Sequence, residues 1–108
     1  MENEIVFKLL DSLVHTEKNI VWERTPISNV YRCKIGNKYI EIEKSEQYSG
    51  HYYLRIFDSD SFSNLATYST HKMMEHFNLF KQVYKDAYNS VEHGNDDVIK
   101  EIIKYLNS

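Results

Sequence analysis

The stretch Val30–Lys44, VYRCKIGNKYIEIEK, decides how this chain folds. Two runs rich in β-branched and aromatic residues, Val30–Ile35 and Tyr39–Lys44, flank Gly36-Asn37. A two-residue loop with glycine first suits a type II′ turn, which needs φ > 0 at that position and has the same twist as the strands it joins. So short a loop fixes the register. Ile35 opposes Lys38, Lys34 opposes Tyr39, Cys33 opposes Ile40, Arg32 opposes Glu41, and Tyr31 opposes Ile42. Side chains alternate across a strand, so this register gathers Tyr31, Cys33, Ile40 and Ile42 on one face. The other face takes Arg32, Lys34, Tyr39, Glu41 and Glu43. A slip of one residue would mix the two sets, so the pattern itself supports the pairing.

Outward from the hairpin, Ser45–Gly50 reads as a loop and His51–Asp58 (HYYLRIFD) as the next strand. That strand is apolar or aromatic on both sides. Tyr52, Leu54 and Ile56 continue the Ile40 face, while Tyr53, Arg55 and Phe57 continue the Arg32 face. Asp58–Ser61 (DSDS) is a turn, and Ser63–Tyr68 is a weaker fifth strand. On the N-terminal side, Ile20–Arg24 reads as a short strand with Ile20 and Trp22 on one face. Pro26 confines it to an edge, and the turn continues through Ser28 and Asn29.

Helices bracket the strands. In residues 3–17, Asn3 is the cap, and Ile5, Val6, Leu9, Leu10, Leu13 and Val14 form one apolar stripe. This helix should end near Thr16–Asn19. In residues 70–92, Met73, Phe77, Phe80, Tyr84, Ala87 and Val91 recur at spacings of four and three, widened by Leu79, Val83 and Tyr88. Gly94 suits the C′ position and Asn95 caps a last helix over 96–107. Its buried face should hold Val98, Ile99, Ile102, Ile103 and Leu106. Asp96 and Asp97 in its first turn and Lys104 in its last suit the helix dipole. The short loop predicts that the last two helices pack antiparallel. The class is therefore α+β: an antiparallel meander sheet of four to five strands, with an N-terminal helix and a C-terminal antiparallel helix pair packed on one face. Residues 1–108 make one domain. The layout is common among small bacterial and phage proteins, an analogy of fold that carries no function.

Composition narrows the function. The 108 residues are 42% hydrophobic and 27% charged, with three Gly and one Pro, which suits one compact core with little linker. A net charge of −3 argues against nonspecific nucleic-acid binding through clustered Lys and Arg. The N-terminal MENEIVFKLL carries acids where a signal peptide needs basic residues, and no apolar run reaches membrane-spanning length, so a cytoplasmic protein with no membrane contact is expected.

Candidate catalytic and metal-binding residues are few. His15, His51, His71, His76 and His93 are scattered; His71 and His76 lie roughly 140° apart around a helix and do not form a metal-ligating pair. Cys33, the single thiol, falls on the core face, where free cysteine acts as a small hydrophobe. Asp58-Ser59-Asp60-Ser61 opens like a calcium loop, but no glycine stands at its centre and its twelfth position is Ser69 rather than Glu. No glycine-rich phosphate loop is present. The sequence therefore assigns no catalytic, cofactor-binding or metal-ligating residue and no cofactor.

The remaining candidate is the outer sheet face. Arg32, Tyr39, Glu41, Tyr53, Arg55 and Phe57 are expected there as partner-binding residues, because Tyr, Phe and Arg are favoured at interface hot spots. A solvated face laced with pairs such as Arg32–Glu41 is the plainer reading. The function expected is a small protein-binding module (an adaptor, immunity-type or inhibitor protein) that contacts another protein or a second copy of itself, without catalysis. Two alternatives follow: a single-stranded nucleic-acid-binding domain that stacks bases on the same face, and a small-ligand pocket between the first helix, the sheet and Trp22. A further patch near Met74 flanks the long helix.

Overall fold

The computed structural model describes residues 2–48, 50–70, 74–93 and 96–108. Helix α1 (Glu2–His15) is followed by strands β1 (Trp22–Arg24), β2 (Val30–Ile35), β3 (Lys38–Lys44), β4 (Tyr52–Asp58) and β5 (Asn64–Ser69). A 3₁₀ turn, Met74–His76, leads into α2 (Phe77–His93), and α3 (Asp96–Leu106) follows. The five strands form one antiparallel meander in chain order.

The hairpin turns as its sequence requires. Gly36 sits at φ +61, Asn37 keeps an ordinary φ, and the β2–β3 pairs run from Val30↔Glu43 to Ile35↔Lys38. The inner face follows: Trp22, Cys33, Ile40, Ile56 and Ala66 form one row across the sheet, and Arg24, Tyr31, Ile42, Leu54 and Tyr68 the next. The fifth strand forms, with a bulge that shifts the β4–β5 register between Ile56 and Phe57.

Helices α1 and α2 cover this inner face. Val6, Leu10 and Leu13 of α1 and Phe80, Val83, Tyr84 and Ala87 of α2 join Trp22, Tyr31, Cys33, Ile40, Ile42, Tyr52 and Leu54 in one core. A chain of tyrosines crosses it: Tyr84 lies with its ring 5.7 Å from both Tyr31 and Tyr52, and 6.3 Å from Tyr88. Tyrosine suits these sites because its ring fills the core while its hydroxyl reaches the margin.

Two expectations change at the C-terminal end. The long helix begins later than position 70, because Thr70 extends the sheet: its amide donates to the Tyr52 carbonyl at 3.1 Å and its hydroxyl accepts from the Tyr52 amide at 3.0 Å. The proposed caps Gly94 and Asn95, together with His71 and Met73, lie outside the described residues, as does the side chain of Met74. The larger change concerns α3. Its apolar stripe, expected to be buried, is open: Val98, Ile99, Ile102 and Ile103 are each between 51% and 55% exposed, and Leu106 is 73% exposed. The C-terminal segment is a helix bent into two pieces. α2 lies against the sheet, and α3 does not fold back along it to bury that stripe.

Candidate functional site

All six residues expected on the outer face stand there together, half-buried, because β2, β3 and β4 hold the predicted register. The central row across the sheet alternates in charge: Glu23, Arg32, Glu41, Arg55, then Thr67. One flanking row holds Lys34, Tyr39 and Phe57, and the other Glu43, Tyr53 and Ser69. The hydrogen bonds within them differ from the expected Arg32–Glu41 pair. Arg32 Nε donates to Glu23 Oε1 at 2.7 Å, and an Arg55 guanidinium nitrogen donates to Glu43 Oε1 at 2.6 Å. Each carboxylate lies on the strand next to its arginine, and each bond is charge-assisted.

Glu41 is left between two arginines that are bonded elsewhere. Burial raises its pKa above the ordinary carboxylate value, opposed by the charges of Arg55 and Arg32. The rings are engaged as well. The Arg32 guanidinium lies 4.9 Å from the Tyr39 ring centre, and that of Arg55 lies 5.3 Å from Tyr53.

A residue that sequence reasoning missed completes the face. Phe62 stacks on Tyr39 with ring centres 5.6 Å apart and planes 13° apart. Its backbone sits at φ +57, in the left-handed region that a bulky residue enters at a cost of roughly 1–2 kcal/mol. The turn before it is locked by Asp58, whose Oδ2 accepts from the Asp60 amide at 3.2 Å, the Ser61 amide at 2.9 Å and the Ser61 hydroxyl at 3.0 Å. These bonds, that of the Ser61 amide first, hold the Asp58 carboxyl below the ordinary range. The carboxylate is thus occupied by its own turn, and DSDS acts as the polar turn that its sequence suggests.

The exposed stripe of α3 is the second surface. Ile99, Ile102 and Leu106 follow one another at spacings of three and four, the seam spacing of paired helices. Val98 and Ile103 border the seam. Asp96 in the first turn lies 3.5 Å from His93, and Lys104 is in the last turn.

The other candidates resolve individually. Cys33 is buried, and that burial pushes its thiol up to about 12, so it is a core residue. His15 lies against Asp11, His51 against the Tyr48 ring, His76 against the Phe7 ring, and His93 against Asp96 and the Tyr88 ring. Among the described residues no group of three or more His, Cys, Asp or Glu could hold a metal ion, and no helix is long and apolar enough to cross a membrane. The pocket expected beside α1 corresponds to a groove of about 490 Å³ lined by Leu9, Leu13, Ile20, Val21 and Ile35; Trp22 is packed into the core instead.

Comparison with protein-family models, with curated proteins and with solved structures finds no match for this chain.

Proposed function

We propose that this chain is a protein-binding module without catalysis, and that its principal contact is the apolar stripe of α3 against a second copy of itself. The exposure of Val98, Ile99, Ile102, Ile103 and Leu106 on one short helix carries the reading. A contiguous apolar patch on a helix, left open by the described residues, is the usual mark of a partner.

The charges favour a second copy. A two-fold axis runs two α3 helices antiparallel, which opposes their dipoles and sets the Asp96 end of one beside the Lys104 end of the other. The interface is small, at the low end of the range for specific complexes, so association in the range of ~1–100 μM is expected. Sedimentation equilibrium tests this. Wild-type chain should show a monomer–dimer equilibrium, and Ile102→Glu should weaken it at least ~10-fold with the circular dichroism of the sheet retained, since burying an unpaired charge offsets any apolar gain. A wild-type chain that stays monomeric at ~0.5 mM refutes the proposal.

The outer sheet face remains available to a different protein, with Tyr39, Phe62, Tyr53 and Phe57 as apolar contacts among bound arginines. Base stacking on that face is the weaker alternative, because Glu23, Glu41 and Glu43 sit among the rings where phosphates would lie.

A further inference from the structure

A cleft of about 760 Å³ opens between α2 and the far end of the β2–β3 hairpin, away from both surfaces above. Three lysines line it: Lys44 at the end of β3, and Lys81 and Lys85 one turn apart on α2. None of the three ammonium groups has an ion pair or hydrogen bond among the described residues. On α2 the positions three and four away from Lys81 and Lys85 hold no acid; Lys81 and Lys85 are each other's neighbours at i,i+4. Like charges at that spacing disfavour the helix by roughly 0.2–0.5 kcal/mol. Glu46 is the acid on the rim, and its Oε1 already accepts from Asn29 Nδ2 at 2.9 Å.

A second observation is independent of the lysines. Tyr52 lines the cleft and is only 5% exposed, yet its hydroxyl has no hydrogen-bond partner among the described residues. No side-chain oxygen that is both sealed from solvent and unbonded is present among them, so this hydroxyl opens onto the cleft. Its neighbour Tyr84 is buried to a similar degree, but its hydroxyl donates to Asn29 Oδ1 at 3.3 Å. Tyr88, stacked beside Tyr84, presents a 39% exposed ring to the same space.

We infer that this cleft binds a small phosphorylated ligand with a planar ring, of the nucleotide type. Its phosphates lie among Lys44, Lys81 and Lys85, the Tyr52 hydroxyl donates to one of their oxygens, and the ring rests on Tyr88. Ammonium groups serve as point charges for phosphate, and the Tyr52 hydroxyl, open to the cleft and bonded to no described residue, is free to donate to a ligand oxygen.

Isothermal titration calorimetry with ADP, inorganic pyrophosphate, adenosine and a mixed-sequence single-stranded oligonucleotide tests the assignment. ADP and pyrophosphate should bind, ADP more tightly, and adenosine should not. The Lys81→Gln/Lys85→Gln double variant should lose at least ~10-fold in ADP affinity, the yield expected when two charge-assisted contacts go. Tyr52→Phe should lose several-fold while keeping the fold, because only the hydroxyl is removed. Exposed lysine changes leave the core intact and relieve the Lys81–Lys85 repulsion, so lost binding is separable from unfolding by a melting temperature of the double variant at or slightly above that of wild type. Absence of ADP and pyrophosphate heats at millimolar concentration overturns the inference. So does adenosine binding equal to ADP, undiminished ADP affinity in the double variant, or an oligonucleotide that binds ~100-fold more tightly than ADP.

Discussion

Glu92, in the last turn of α2, fastens the helix to the β1–β2 edge of the sheet. Its Oε1 accepts from the Tyr31 hydroxyl at 3.0 Å, and its other oxygen accepts from the Arg24 guanidinium. Tyr31 is 4% exposed, and its phenol is pushed up to about 12, first by burial and then by this bond. Glu92→Ala would strand the hydroxyl, at a cost of about 1–3 kcal/mol for a buried donor left unpaired. The Arg24 arm adds little, ~0–1 kcal/mol, because Arg24 is two-thirds exposed and screened. Removing a carboxylate from a helix C-terminus returns ~0.3–1 kcal/mol. The net loss is about 1–2 kcal/mol, a fall in melting temperature of roughly 5–15 °C for a domain of this size. Thermal denaturation of Tyr31→Phe, Glu92→Ala and the double variant separates the arms, since the double variant should melt close to Tyr31→Phe alone. High salt should weaken the Arg24 arm and leave the Tyr31 arm intact. A coupling energy below ~0.3 kcal/mol in that cycle would refute the reasoning.

Two further outcomes follow from burial. Cys33 should react with iodoacetamide at pH 8 at least ~100-fold more slowly in the native chain than in denaturant, since its thiol is both covered and held protonated; labelling at the rate of a free thiol would contradict its place in the core. Glu41 has its folded-state pKa raised, so the fold binds that proton more tightly than the unfolded chain does, and the ionised group weakens the fold at neutral pH. Glu41→Gln should therefore melt higher than wild type at pH 7. The gap should close as the pH falls through the raised value toward the ordinary one, whereas Asp58, shifted the other way, affects both chains alike. A lower melting temperature for Glu41→Gln at pH 7 would count against it.

The sheet was legible because its information is local. Gly36-Asn37 sets one register, and the alternation of the adjoining residues has only one consistent continuation through β4. The same logic assembled Arg32, Tyr39, Glu41, Tyr53, Arg55 and Phe57 on one face. Which carboxylate each arginine would take was not legible, because Glu23, Glu41 and Glu43 all stand on strands beside the arginines and strand pairing alone does not rank them. Phe62 escaped notice since its ring reaches Tyr39 through a left-handed backbone that turn composition does not announce. The periodicity of α3 identified an apolar stripe, and periodicity says that a stripe exists without saying what covers it. The cleft was invisible for a related reason: Lys44 and Lys81 are distant in the chain, and nothing in either neighbourhood marks them as companions.

Strand order that matches chain order has a kinetic consequence. Each strand pairs only with its immediate neighbours in the chain, so every ladder closes a short loop, and closing a short loop costs little entropy. The sheet can grow outward from the Gly36-Asn37 hairpin by successive additions, with no strand waiting for a distant partner. Domains with such local pairing fold quickly for their β content. Docking of α1 should come late, because the surface that receives it includes Phe80, Val83 and Ala87 of α2, which follows the whole sheet in the chain.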